Sequence, residues 1–419
     1  MTIRFVILAA LPLFCSCAVS AAPPQSQFLT DLIHTAEAKI KNAPQAAEGY
    51  SDLAFALARR ARETEDPAFG KRAEEAVLKA LQLAPGNFEA RKARVMLRLQ
   101  QGRNADAEEE AKALNKQIPD DNIMYGLLAD AALGQGKYLE AEALTQRMLD
   151  MRQVNGPGLQ RAARVREAIG FPDGAVEFWN SAFRLSSTSD VEERAYILTE
   201  LAGISRRRAQ LANASRYAAD AVALEPDYPA ALVEQARIAI DQKKFELAEG
   251  FLTVRLKQSP SFAAQYWLAS ALEAAGKSAR AAEAGSQFVS QAQSSTEAPR
   301  DRVELLVRYW TAHGKAAEAV RFAESQAPRG TTESYLDALA LALLAAGDTK
   351  AANVKIEQAL QPGVQNPAFF LDAAHIARKN NQIAVARGYL KKCIEANASS
   401  EYAEIALREL QSTGDNPPR

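Results

Sequence analysis

Imidazoles and thiols are scarce in this chain. His34, His313 and His375 are its three histidines, and none has another histidine or a cysteine at metal-ligand spacing. Gly134-Gln135-Gly136 and Gly156-Pro157-Gly158 are bare Gly-x-Gly matches with no strand pattern before them, so they read as helix-helix turns rather than nucleotide cradles. No nucleophile elbow or phosphate-cradling glycine loop is present, so the sequence predicts no catalytic residue, no metal and no cofactor. Cys15 and Cys17 lie in an N-terminal leader, which leaves Cys393 as the one thiol of a mature chain and allows no internal disulfide. Cys393 occupies a helix-crossing position held by Ala80, Ala182, Ala221 and Ala359 elsewhere, where an inert buried thiol is expected. Two charge runs, Glu108-Glu109-Glu110 and Arg206-Arg207-Arg208, fan round a helix and read as solvated surface.

Whatever the chain does must therefore come from a surface, and helices have to build it. Hydrophobic residues make up 48% of the 419 residues but aromatics only 7%, and alanine supplies much of the difference, which suits closely packed helices. Fifty basic residues against 51 acidic ones give a net charge of -1, so no overall field gathers nucleic acid, and none is expected as a partner. Arg4, the apolar stretch Phe5 to Phe14 and the small residues around Val19-Ser20-Ala21 read as an export signal over residues 1–21. Two processing routes fit it: cleavage after Ala21, giving a periplasmic or secreted chain, or lipidation at Cys17, giving an outer-membrane lipoprotein whose lipid is its only membrane contact.

An alanine recurs early in every second helix, at 73, 107, 141, 175, 214, 248, 281, 319, 352 and 386, with spacings of 34, 34, 34, 39, 34, 33, 38, 33 and 34. A second series keeps step in the first helices: Ala54, Val95, Ala129, Ala163, Ala202, Ala236, Ala269, Val307, Ala340 and Ala374. Between the helices stand Gly102, Gly136, Gly170, Gly276, Gly314, Gly347 and, in the last unit, Asn381, where a left-handed residue is needed. Prolines at 85, 119, 226 and 260 close second helices. Units start near 47, 88, 122, 156, 195, 229, 262, 300, 333 and 367, with a capping helix over 25–46 before them, another over 401–411 after them, and a disordered tail over 412–419. Departures from the register fall near Arg62 to Gly70, where an extended turn is expected, near 186–191 and near 293–299; they read as hinges between sub-stacks or as longer surface loops.

These residues resemble the tetratricopeptide repeat (TPR) family, most clearly from Leu128-Ala129 through Gly136-Lys137-Tyr138 to Ala141-Glu142-Ala143 and again from Leu268-Ala269 to Ala281. The resemblance spans 47–400. It implies an all-α, right-handed superhelical solenoid of about ten helix-turn-helix repeats with a concave groove that binds a protein or peptide. Residues assigned to the groove are Arg164, Tyr196, Arg206, Arg237, Tyr266, Arg308 and His375, with Met96, Leu99, Ile123 and Leu133 in the early units and Glu167 and Glu304 further on. The lysine-asparagine clamp of one TPR subclass is missing, because Met96 follows Lys92 by one turn. The expected function is an exported, non-enzymatic scaffold for protein-protein interaction, possible settings being a cell-envelope, secretion or polysaccharide-export assembly. The rival is a soluble periplasmic binder of polysaccharide or peptidoglycan fragments, which would need aromatic platforms in the groove. The sequence leaves the oligomeric state open.

Overall fold

The computed structural model describes residues 27–119, 121–152, 155–294, 302–326, 332–361, 364–398 and 400–412. The leader with Cys15 and Cys17, the insertion around 295–301 and the tail from 413 lie outside the described residues. Among those described there are 22 helices and no strand, and no helix long and apolar enough to cross a membrane.

Ten helical pairs follow one another. They are α2 (Ala47–Thr64) with α3 (Pro67–Leu83), α4 (Phe88–Gln100) with α5 (Asn104–Gln117), α6 (Asn122–Gly134) with α7 (Tyr138–Met151), α8 (Gly156–Ala168) with α9 (Pro172–Leu185), and α10 (Val191–Arg207) with α11 (Leu211–Leu224). The series continues with α12 (Pro229–Asp241) and α13 (Phe245–Gln258), α14 (Phe262–Ala274) and α15 (Ser278–Ser294), α16 (Arg302–Ala312) and α17 (Ala316–Gln326), α18 (Glu333–Ala345) and α19 (Thr349–Leu360), and α20 (Pro367–Lys379) and α21 (Ile383–Ala396). At the two ends α1 (Gln27–Asn42) packs on α2, and α22 (Glu401–Ser412) on α21.

Both small-residue series sit at the crossings, where none of their members is more than 5% exposed. A larger side chain there would hold the two axes apart and open a void on either side. One apolar cluster runs from Phe288 on α15 through Leu306, Trp310 and Leu339 to Ile376 on α20, so that neighbouring units share a core rather than owning one each. Side chains of Asn87, Asp121, Asn155, Ser261, Thr332 and Asn366 accept hydrogen bonds from the first free N–H groups of the first helices they precede.

The turn inside every pair contains one left-handed residue. Glycine fills six of these positions and Asn381 a seventh, as the sequence predicts; Glu65, Ala209 and Lys243 complete the set with φ of 48°, 55° and 60°. Three side chains therefore adopt a backbone that glycine takes without strain.

The departures from register are absorbed mainly as helix. Seven of the ten first helices have 13 residues and α16 has 11, but α2 has 18 and α10 has 17. The extended turn expected at 63–67 is not formed: α2 stays helical through Thr64, Glu65 turns left-handed, and Asp66 caps α3 directly. Successive first helices pack on one another, except that α8 and α10 stand further apart; each second helix packs on the first helix of the following unit. The first helices thus line the inner side of the curve.

The curve is tight enough for the edge of an early unit to meet that of a unit four to six further on. Arg255 at the end of α13 donates to Glu65 (2.9 Å), Arg62 on α2 donates to Glu192 on α10 (2.8 Å), and Tyr138 on α7 donates to Glu333 on α18. A Cβ placed on Gly170 would lie 3.0 Å from the backbone nitrogen of Gln365, so that approach needs glycine. Replacing Ala209 or Lys243 with glycine should raise the denaturation midpoint, because removing left-handed strain of roughly 1–2 kcal/mol outweighs about 0.5–1 kcal/mol of added chain entropy. Chemical denaturation of each single variant checks this, and a lowered midpoint contradicts it.

Candidate functional site

The inner face of the middle units is built from α6, α8, α10 and α12, whose inward side chains reach across from one unit to the next. Arg161 and Arg164 on α8 both pair with Asp130 on α6, at 2.7 and 3.0 Å. Arg207 on α10 donates back to Glu167 on α8 at 2.8 Å, while Arg206 donates forward to Glu234 on α12 at 2.7 Å and pairs with Asp241 at 3.2 Å. Arg237 closes on Glu234 from the same helix at 3.1 Å and lies over the Trp267 ring, 4.9 Å from its centroid. The inner face is therefore a ladder of alternating cations and carboxylates whose rungs join neighbouring units.

Solvation along the ladder is unusual. Side chains of Arg62, Arg164 and Arg207 keep 49%, 33% and 42% of their surface open to solvent. Protein nevertheless crowds them closely enough for burial to oppose their charge, and facing anionic groups, foremost the carboxylates Glu192, Asp130 and Glu167, hold them firmly ionised. These side chains are therefore crowded by protein and still open to solvent. Burial also raises Glu200, with Glu167 nearby adding to the effect, and it raises the Tyr196 hydroxyl, next to Glu200. Glu234 goes the other way: burial disfavours its charge, but Arg237, Arg206 and Arg207 outweigh it and bring the carboxyl down to about 2.

All seven side chains assigned to the groove from sequence lie on first helices, and the structure gives nearly all of them a partner. Arg164 is on the open part of the ladder. Arg206 is a rung with only 11% of its side chain exposed, so it braces α10 against α12 and is not a free contact. Tyr196 packs edge-on against Trp179 and has Arg62 over its ring at 5.8 Å; Tyr266 packs edge-on against Trp267 and Phe288. Arg308 pairs with Glu304 (3.0 Å) and with fully buried Asp337 (2.7 Å). His375 meets Glu409 on the capping helix at 2.9 Å.

Several residues fall elsewhere than the sequence predicts. Leu133 is a core residue, 3% exposed, packed with Tyr138 and Val165. Glu108 and Glu110 are not a solvated face: each is 7% exposed, and only Glu109 between them points outward. Arg91, Arg94 and Arg98 converge on Glu110, and Lys112 and Lys137 on Glu108, whose carboxyl these hydrogen bonds hold near 2 in spite of burial. Cys393 is fully buried, and burial followed by Asp372 pushes its thiol up to about 11. Asp337 and Asp372 were not singled out by sequence; they share a hydrogen bond near Arg308, and burial raises both. No signal in a single sequence marks that pair, because it depends on how α18 meets α20.

The unit itself is now defined: a helical hairpin of about 34 residues with small residues at both crossings and one left-handed turn residue. The fold is a tetratricopeptide-type solenoid. No protein-family model matches the chain, and no curated protein matches it. Among solved structures it is similar to a chain of the APC/C hetero-tetramer Cut9–Hcn1 at 13% identity and TM-score 0.46, covering 92% of this chain and 58% of that one. It is also similar to PilW, a widely conserved type IV pilus biogenesis factor (14% identity, 50% of this chain and 96% of that one, TM-score 0.42), and to yeast Tom70 (14%, 93% and 97%, TM-score 0.41). This chain thus spans 58% of the length of the APC/C subunit it matches.

Glu234 supplies a pH test of the ladder. Its folded-state value of about 2 lies below the ordinary 4.5, so its contribution is present above 4.5 and is lost as the pH falls from there towards 2. Glu234→Gln should cost roughly 2–3 kcal/mol at neutral pH and flatten the loss of stability over that window, as followed by chemical denaturation at stepped pH. An unchanged acid limb would show that the ladder is not the source.

Proposed function

We propose that this chain is an exported scaffold that binds a protein partner through the inner face of its solenoid, and that it acts by binding rather than by catalysis. The observation that supports this most directly is the inner face of the middle units, where Arg164, Arg207, Glu167 and Glu200 stay within reach of solvent while ion pairs join the helices that carry them. An extended peptide segment suits such a surface: it offers charges of both signs at side-chain spacing. The pattern over 1–21, an apolar stretch followed by small residues, supports export to the periplasm or outside the cell, or an outer-membrane anchor through a lipid on Cys17. An envelope, secretion or polysaccharide-export assembly is the setting this reading favours.

A saccharide ligand is less well served. Sugar platforms need flat aromatic faces, whereas Tyr196 is roofed by Arg62 and Tyr266 is engaged edge-on by two rings.

Crosslinked capture from the native cell envelope tests the reading when the wild type is run beside a chain carrying Arg164→Gln and Glu200→Gln. A defined protein recovered in stoichiometric amount with the wild type, and lost with the variant at an unchanged melting temperature, is the expected result. Equal recovery by both moves the partner off the inner face, and glycan without protein replaces the reading with the saccharide one.

A further inference from the structure

One of the long-range contacts between distant units is also densely charged. The last turn of α2 meets the return edge formed by the start of α10, the end of α11, the start of α12 and the end of α13. Arg62 makes two hydrogen bonds to Glu192, at 2.8 and 3.2 Å, and the Tyr228 hydroxyl reaches the same carboxylate at 3.5 Å. Fully buried Arg255 donates to Glu65 and to the Ser259 carbonyl and hydroxyl, and the Ser259 hydroxyl donates to the Glu65 carbonyl at 3.4 Å. Behind them Arg60 and Glu63 form a buried ion pair at 2.6 Å.

Two of the three breaks in the repeat register lead here. The extra turn of α2 carries Arg60, Arg62 and Glu63 and sets Glu65 just beyond it, and the extra N-terminal turn of α10 carries Glu192. These are the two first helices longer than 13 residues among those described, and they meet each other.

We propose that this contact is an electrostatic clasp that holds the first superhelical turn shut against the second, and that its release opens the inner face of the middle units. Shut, it lays Arg62 over the ring of Tyr196, so a side chain of the first unit covers part of the surface that a partner would use. It also lies across the step from α8 to α10, where successive first helices are furthest apart.

The charges are not balanced. Arg60, Arg62 and Arg255 face Glu63, Glu65, Glu192 and Glu225, with Asp227 beside them in the α11–α12 turn. Glu225 Oε2 is buried and has no hydrogen-bond partner. Burial, then Glu63 and Glu192, push this carboxyl up to about 7 against the pull of Arg60. Its folded-state value is raised, so it is neutral and harmless below that pH. As the pH rises through about 7 it becomes a fourth carboxylate facing three arginines, and the clasp weakens.

Small-angle scattering on the purified full chain needs no partner and reads the clasp alone. Between about pH 6 and about pH 8.5, a window either side of that ionisation, the radius of gyration of the wild type should increase while helical circular dichroism stays constant. Glu225→Gln should remain compact at both values, and Arg62→Gln, at a half-exposed position that tolerates substitution, should be expanded at both. An unchanged wild-type radius, a Glu225→Gln chain that expands like the wild type, or a compact Arg62→Gln chain overturns the proposal. Those outcomes would leave the inner-face reading standing, just as failed capture by the inner face would leave the clasp standing.

Discussion

Close approach of helix axes at the alanine crossings is the constraint from which the rest follows. Each crossing fixes the distance and angle between two helices, and with ten in series small rotations add up to a superhelix. Only because the accumulated rotation is large do residues some 190 positions apart in sequence, Glu65 and Arg255, end within hydrogen-bond distance. Buried alanine supplies little apolar area of its own, so the stabilising area comes from what the close approach permits: Trp179, Phe288, Leu252 and Ile376 filling the spaces between layers.

Electrostatics then acts on a frame already set. Ion pairs on the inner face join unit to unit, as in Arg164 to Asp130, Arg207 to Glu167, Arg206 to Glu234 and Arg308 to Asp337. Crowding by protein strengthens such pairs relative to an open surface, where each would contribute little. It also makes each cation costly to strand, and that is why nearly every inner-face arginine has a carboxylate within reach. Specificity for a partner would then arise from exchange, with an incoming charge replacing a rung rather than filling a vacancy.

Much of the fold was legible because it is local. The two alanine series, the turn glycines and the proline stops all express rules that operate within one hairpin, and the structure places each where those rules put it. The non-glycine turns at Glu65, Ala209 and Lys243 carry no such mark and yield only to the shared period. Inner-face positions on the first helices were found by the same periodicity, but their state was not. Whether Arg206 is free or braced depends on Glu234 and Asp241 in the following unit. Contacts between superhelical turns were beyond reach altogether, since they depend on the sum of ten crossing angles. The one trace they left was the broken register near residues 62–70 and 186–191, which reads as loop or hinge until the extra residues are seen to be helix.

The edge contact also constrains what the array can become. In an open solenoid the number of units is free to change, since losing one merely shortens the stack. Here the partners of Arg62 and Glu65 lie on the fifth and sixth pairs. Removing any hairpin between them would carry Glu192 and Arg255 round the axis by a full unit and leave Arg62 opposite the wrong edge. The first six pairs are therefore bound to one another in number as well as in shape, and the meetings of Tyr138 with Glu333 and of Gly170 with Gln365 extend the same requirement to the pairs that follow, as far as the ninth.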